Sequence, residues 1–64
     1  EYKGITNDSS IDDVLDAFGE ADTRYNGEYS TELTYYTTNG WIEFDWDTDG
    51  EMISIWLENY EEID

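Results

Sequence analysis

Two glycine-containing pairs, Asn39-Gly40 and Asp49-Gly50, constrain the fold of this chain more than any other feature of its sequence. Such pairs are typical of two-residue hairpin turns of type I′, because both central residues of that turn need a positive φ. The segments around the two pairs alternate apolar and polar residues, which is the pattern of strands with one buried face. The sequence therefore predicts three strands in an antiparallel meander, at about residues 30–38, 41–48 and 51–58.

Counting outward from the two turns gives a register for the whole sheet. The first hairpin pairs Thr38 with Trp41, and the second pairs Thr48 with Glu51. A slip of one residue would turn every inward side chain to solvent, so the agreement between turns and alternation supports this register. The inner face then carries three rows: Leu33-Trp46-Ile53, Tyr35-Phe44-Ile55 and Thr37-Ile42-Leu57.

A short amphipathic helix is predicted ahead of the strands, at about residues 10–18. The pair Ser9-Ser10 supplies an N-cap oxygen, and Gly19 is a residue that tolerates the positive φ of a helix C-terminus. One apolar stripe follows the helical period and needs a surface to cover: Ile11, Val14, Leu15 and Phe18. We therefore predict a two-layer α+β fold, one helix packed on a three-stranded antiparallel meander. Residues 19–30 show no clean period and are predicted to form a loop.

Composition limits what such a domain can do. The chain has 64 residues, predicted to form a single small domain over residues 1–64, with no His and no Cys. It therefore has no histidine for acid/base chemistry, no disulfide and no zinc-thiolate site. A single helix on a small sheet offers no concave site for two catalytic carboxylates, so we expect neither an enzyme nor a cofactor. No apolar run approaches the roughly 18 residues of a membrane span.

The second limit is charge. Lys3 and Arg24 stand against 18 acidic residues, which gives a formal net charge of -16 and excludes nucleic acid as a direct ligand. Three origins of the acidity remain open: solubility or a salty environment, docking onto a basic protein surface, and mimicry of nucleic-acid charge. The acids are spread from Glu1 to Asp64, which favours the first of these, because a mimic should gather them on one face.

The predicted outer face of the sheet carries the candidate binding residues. The register places four residues there, with Tyr36-Glu43-Trp56 in one row and Trp41 between Thr38 and Glu58 in the next. Exposed aromatic patches often mark interfaces. The site prediction is a partner-binding surface made of Tyr36, Trp41, Glu43 and Trp56. The alternatives are stacking of a carbohydrate on the rings, high β-propensity alone, or a cover formed by residues outside the chain or by Tyr60 and Ile63.

The spacing of Asp45, Asp47 and Asp49 before Gly50 resembles the start of a calcium-binding loop. However, Trp56 occupies the position where such a loop needs a bidentate glutamate. A strand end followed by an Asp-Gly turn explains the same residues. We therefore predict no metal site and keep these three aspartates as the weak candidate for calcium.

The segment 10–22, SIDDVLDAFGEAD, resembles a motif written T/S-x-x-x-V-x-x-x-hydrophobic-G-x-P-D. An aromatic strand, residues 33–36, and the pattern Phe44-x-x-Asp47-x-Asp49-Gly50 follow it. Together they resemble the superfamily of the β-lactamase inhibitory proteins and the small outer-membrane assembly lipoproteins, over about residues 4–57. Ala21 stands where that family favours proline, and the family's first helix, usually ahead of this one, is absent or cut off.

The resemblance implies a non-enzymatic domain that binds protein through its sheet or loops, with no catalytic residue to transfer. We accordingly expect a protein-interaction or inhibitor-like module of an extracytoplasmic bacterial protein, in the cell envelope or secreted. The alternative is a structural or carbohydrate-contacting accessory domain of a larger envelope protein. The chain opens on Glu1 rather than Met and shows no signal-peptide pattern, so we expect an excised or processed domain.

Overall fold

The computed structural model describes residues 3–60, and the elements follow one another as one helix and then four strands. Helix α1 spans Ile11–Phe18, and the strands are β1 (Thr23–Asn26), β2 (Ser30–Tyr36), β3 (Trp41–Asp47) and β4 (Met52–Glu58). All neighbouring strands are antiparallel, and the order in the sheet is β1-β2-β3-β4. Among the described residues, no helix has the length and apolarity needed to cross a membrane.

Helix α1 begins and ends as the sequence predicts. The Asp13 N–H donates to Ser10 Oγ at 3.2 Å, and the Ser10 N–H donates to Asp13 Oδ2 at 2.9 Å. This capping box satisfies two N–H groups that the first turn would otherwise leave free. At the other end the Gly19 N–H donates to Leu15 O at 2.8 Å, with Gly19 at φ 83°.

The core lies between α1 and the inner face of the sheet, as predicted. The Phe18 ring of the helix contacts Phe44 with centroids 5.3 Å apart and Tyr35 at 5.0 Å. Trp46 is fully buried, and its indole Nε1–H donates to Ser9 O at 3.0 Å. The buried apolar residues are Ile5, Val14, Leu33, Tyr35, Ile42, Phe44 and Trp46. The α+β class is therefore confirmed.

The sheet has four strands, so the prediction of three strands and of a loop over residues 19–30 is wrong. Strand β1 pairs with β2 from Thr23↔Thr34 to Asn26↔Thr31. The Gly27 N–H donates to Ser30 O at 2.8 Å and closes the connecting turn. All four β1 residues are exposed, so the strand has no alternation of buried and exposed residues from which it could be recognised.

The first predicted turn is longer than expected. Tyr36, not Thr38, pairs with Trp41, so the loop holds residues 37–40 and β2 is displaced by two residues along β3. The Thr37 N–H donates to Gly40 O at 2.7 Å, and the Gly40 N–H donates to Thr37 Oγ1 at 3.1 Å. Because the displacement is even, each β2 side chain keeps its predicted face. The inner rows become Thr31-Trp46-Met52, Leu33-Phe44-Ile55 and Tyr35-Ile42-Leu57.

The second hairpin has the predicted pairing only in the half that is farther from its turn. Phe44↔Ile55 and Ile42↔Leu57 pair as predicted, but a bulge follows and Trp46 pairs with Met52. Ile53 is thereby left outside the core at 59% exposure, and Leu57 on the edge strand is 42% exposed. Of the turn pair only Gly50 has a positive φ, 83°, so the turn is not of type I′. The Gly50 N–H donates to Asp47 O at 3.1 Å, as in a type I turn with a glycine bulge.

Candidate interaction surface on the outer face of the sheet

The four residues predicted to form the binding surface do lie on the sheet face opposite α1, but in different rows. Tyr36 lies opposite Trp41, which in turn lies opposite Glu58. Glu43 lies between Thr34 and Trp56. The predicted pairs Glu43–Trp56 and Trp41–Glu58 are confirmed. The β2 members of the two predicted rows, Tyr36 beside Glu43 and Thr38 beside Trp41, are wrong, because they relied on the two-residue turn that the loop 37–40 replaces. Tyr36 and Trp41 are brought side by side as a result.

Exposure divides the four residues into two pairs. Tyr36 and Trp56 are each 58% exposed. Trp41 and Glu43 are only half-buried rather than exposed, because both lie on a central strand with side chains of β2 and β4 on either side. The outer face thus presents exposed rings at two places with a partly desolvated tryptophan and carboxyl group between them.

A shallow groove of about 340 Å3 crosses this face on the side of β1. Three of the predicted residues line it, whereas Trp56 does not. Its walls are Thr23, Arg24, Tyr25, Glu32, Thr34, Tyr36, Trp41 and Glu43. The groove therefore combines three aromatic rings with two carboxylates. Arg24 lies opposite Leu33, so its side chain belongs to the other face of the sheet, where its charge acts on Tyr35.

Sequence reasoning missed Tyr25, the third ring of the groove. It is 58% exposed and belongs to β1, the strand that was predicted to be a loop. A Cβ on Gly27 would lie 2.7 Å from Tyr25 Cζ, so the Tyr25 ring folds back over the turn at a glycine. The signal that could have revealed this strand is Asn26-Gly27, a pair of the same kind as the two used for the later hairpins.

Three carboxylates meet beside the groove. Glu32, Glu43 and Asp45 each place one oxygen within 4.8 Å of the others. Thr34 Oγ1 donates to Glu43 Oε1 at 3.4 Å. Burial, the hydrogen bond and charge of Asp45, and the charge of Glu32 together raise the pKa of Glu43 to about 7, while the hydrogen bond with Thr34 acts in the opposite direction. A substantial part of this carboxyl group is therefore protonated at neutral pH.

Trp56 is held by a short chain of side-chain hydrogen bonds. Its indole Nε1–H donates to Ser54 Oγ at 2.8 Å, and the Ser54 hydroxyl donates to Asp45 Oδ2 at 2.9 Å. The other oxygen, Asp45 Oδ1, is buried and accepts no hydrogen bond from an N–H or hydroxyl group of residues 3–60. The Trp56 ring is thus oriented from its polar edge while more than half of its surface stays accessible.

The three aspartates considered for calcium do not come together. Asp45 belongs to the cluster with Glu32 and Glu43. Asp47 Oδ1 instead accepts hydrogen bonds from the N–H groups of Asp49 at 2.9 Å and Glu51 at 3.0 Å. Asp47 therefore serves the turn, and the spacing of these three residues finds no support as a metal site.

One of the predicted covers of the outer face can be checked. Tyr60 packs on the core, with its ring centroid 6.3 Å from that of Phe18 in the helix. It therefore lies on the helix side of the sheet and not over the groove. Ile63, the other residue considered, lies outside the described residues, as does Glu1.

Comparisons of the chain with protein-family models, with curated proteins and with solved structures found no match. The resemblance to the β-lactamase inhibitory proteins and outer-membrane assembly lipoproteins therefore stays a prediction. What the site can do follows from its own chemistry: three rings on neighbouring strands, two carboxylates beside them, and a strongly negative domain around them.

Proposed function

We propose that the chain is a non-catalytic protein-interaction or inhibitor-like module of an extracytoplasmic bacterial protein, and that it binds through the outer aromatic face of its sheet. The observation that supports this most directly is the groove that places Tyr25, Tyr36 and Trp41 together on the face opposite α1. Large rings of this kind are typical anchors of protein interfaces, because they bury much area and lose little rotamer freedom.

The arrangement also suits binding because it is held on regular strands. Tyr36 and Trp41 are a cross-strand pair next to the closing loop of their hairpin, and Trp56 is fixed through Ser54. A partner would therefore meet rings whose positions are largely set in advance, which lowers the entropic cost of association. The surrounding negative charge would accelerate the approach of a basic partner.

The test is capture of partners from bacterial envelope extracts with the intact domain and with surface variants. Tyr36→Ala and Trp56→Ala should lose any partner that the intact face holds, whereas Tyr29→Ala should retain it. Tyr29 is the matched control because it is 78% exposed yet does not line the groove. A partner retained by all three variants would contradict the proposal.

The second candidate function is a carbohydrate-contacting accessory domain of an envelope protein. The exposed, edge-anchored Trp56 ring favours it, because a fixed indole face can stack on a sugar ring. Binding of bacterial cell-wall oligosaccharides that is lost in Trp56→Ala but unchanged in Tyr36→Ala would favour this function over protein recognition.

A further inference from the structure

We propose that the outer-face groove recognises a cationic side chain, a lysine or arginine on a basic segment of the partner protein. This inference rests on the proposed function of the same face and specifies the chemistry of the ligand. It is carried by the composition of the groove, which places aromatic rings and carboxylates around one concave surface.

The rings provide the first part of the argument. Tyr25, Tyr36 and Trp41 all line the groove, and each presents a π-surface whose quadrupole attracts a cation. A neutral apolar ligand could also use these rings, but it would have to bury the neighbouring carboxylates without satisfying them. That burial is unfavourable unless a donor or a positive charge accompanies it.

The carboxylates provide the second part. Glu32 and Glu43 line the groove, and Asp45 stands within 4.8 Å of both in the cluster. An ammonium or guanidinium group offers these oxygens charge-assisted hydrogen bonds, which are stronger than neutral ones. An anionic ligand would instead be repelled by this cluster and by the net charge of -16.

The third part of the argument concerns the protonation of the Glu43 carboxyl group. The charged groups that face this carboxyl are Glu32 from β2 and Asp45 along β3, and Glu58 of β4 lies one row away. Arg24 of β1 lies opposite Leu33, on the other face of the sheet. The remaining neighbours are the side chains of Thr34 and Trp56. A bound cation favours the ionised carboxylate, so binding should release part of a proton.

Glu32 gives the inference an internal test. It lines the groove, and its carboxylate should attract an incoming cation. Glu28 is exposed and does not line the groove. Glu32→Gln and Glu28→Gln change the net charge by the same amount, but only the first removes a negative charge from the groove.

The experiment is an NMR titration with a capped pentapeptide that has a single central lysine flanked by glycines. The same peptide with acetylated lysine is the neutral control, at matched ionic strength. The indole N–H signals report by position, since Trp41 lines the groove and Trp46 is buried in the core. We expect the lysine peptide to shift the Trp41 signal and leave Trp46 unchanged, and the acetylated peptide to shift neither.

Variants and the pH dependence of binding then distinguish a specific cation site from non-specific electrostatic attraction. Glu32→Gln should weaken the lysine response several-fold and Glu28→Gln should not; equal effects of the two would mean diffuse electrostatics and would overturn the inference. Affinity should rise by up to about tenfold from pH 6 to pH 8, since the pKa of Glu43 is about 7. Glu43→Gln should remove most of this pH dependence, whereas Glu28→Gln, outside the groove, should keep it.

The same variants distinguish this inference from the proposed function. A protein partner that needs Tyr36 but is indifferent to Glu32→Gln, Glu43→Gln and pH would overturn cation recognition and leave protein binding through the face intact. A partner retained by Tyr36→Ala and Trp56→Ala, with no peptide response at Trp41, would overturn both.

Discussion

Tyr35 links the core of the domain to the end of its helix. Its ring is buried against Phe18 and Phe44, and its hydroxyl donates to Gly19 O at 2.8 Å. Burial raises the pKa of this phenol, and the nearby Glu20 and Asp22 add to the effect. The hydroxyl therefore stays protonated and remains a donor across the physiological range.

We expect Tyr35→Phe to lower the free energy of unfolding by about 1 kcal/mol, because it leaves the Gly19 carbonyl without this donor. Urea denaturation monitored by circular dichroism measures the change. The matched control is Tyr36→Phe, one residue along the strand on the opposite face, which should change stability little. Equal destabilisation by the two variants would show that the hydrogen bond to Gly19 contributes nothing.

A second prediction about a single residue concerns Glu43 and the pH dependence of stability. Its pKa rises from an ordinary 4.5 to about 7 in the folded domain, so the native state holds this proton more tightly than the unfolded chain. The corresponding stability is fully present below about 4.5 and is lost as the pH rises through about 7. The domain should therefore be more stable at pH 5 than at pH 8.

Glu43→Gln should remove much of this pH dependence, since glutamine stays neutral beside Asp45 and Glu32. We expect it to raise the stability at pH 8 by about 1 kcal/mol, about 4–8 °C in melting temperature, with little effect at pH 5. Glu51→Gln, on the exposed second turn, serves as the control. Parallel curves for wild type and Glu43→Gln would contradict the role assigned to this carboxyl.

At the scale of elements, the sequence determines the faces of the strands more firmly than their register. Alternation assigned Leu33, Phe44 and Trp46 to the core, and all three are fully buried. A displacement by two residues preserves this alternation, so it could not be detected from pattern alone. The length of the first loop depends instead on the Thr37 hydroxyl and on the close passage of β4 beside Gly40, which are contacts made only in the folded chain.

The candidate surface was predictable to the same degree. The alternation of side chains along each strand is enough to place Tyr36, Trp41, Glu43 and Trp56 on one face. Which of these residues are neighbours depends on the register. Alternation could not place Tyr25, because β1 buries none of its residues; the only sequence signal for this strand is the pair Asn26-Gly27. The bulge at Ile53 is marked only by two consecutive apolar residues, Met52 and Ile53, and alternation alone does not decide which of the two faces the core.

Gly27 and Gly40, neither of which has a positive φ, lead to a prediction about the packing of the strands and turns. A Cβ at Gly40 would collide with the backbone carbonyl of Glu58, whereas a Cβ at Gly27 would meet only the Tyr25 ring. Backbone cannot move aside as a side chain can. We therefore expect Gly40→Ala to destabilise the domain by about 2 kcal/mol or more, and Gly27→Ala to leave stability nearly unchanged.

Gly27→Ala should nevertheless act on the groove, because it displaces the Tyr25 ring. The prediction is a weaker response of Trp41 to the lysine peptide, with an unchanged unfolding midpoint in urea. Gly40→Ala should instead lower the unfolding midpoint without displacing the Tyr25 ring. If both variants were equally stable, the approach of β4 to the first loop would not be as close as the structure has it.

At the scale of the whole molecule, the 18 acidic residues act together. They repel one another in the compact state, and added salt screens that repulsion. We expect the melting temperature at pH 8 to rise with sodium chloride between about 0.01 and 0.5 M, where the Debye length falls from about 30 Å to below 10 Å. Because the effect is global, Glu43→Gln should retain most of it, and a melting temperature insensitive to salt would contradict this account.

The last prediction separates the two ways in which this molecule would engage a partner. Charged groups at the rim of an interface mainly change the association rate, whereas desolvated aromatic anchors set the dissociation rate. Trp56→Ala should therefore cost about 2 kcal/mol in binding the partner captured by the intact face, chiefly through faster dissociation. Its folding stability should change little, because the ring is 58% exposed.

Replacing the exposed acids Glu28, Glu51 and Glu58 together by glutamine should instead slow association and reduce its salt dependence, with dissociation nearly unchanged. Surface plasmon resonance at two or three salt concentrations measures both rates for each variant. Unfolding of Trp56→Ala would mean that this ring is structural. Normal binding by Trp56→Ala, with affinity lost in the triple variant, would mean that distributed charge carries recognition, and mimicry of nucleic-acid charge would then become the better explanation of the acidity.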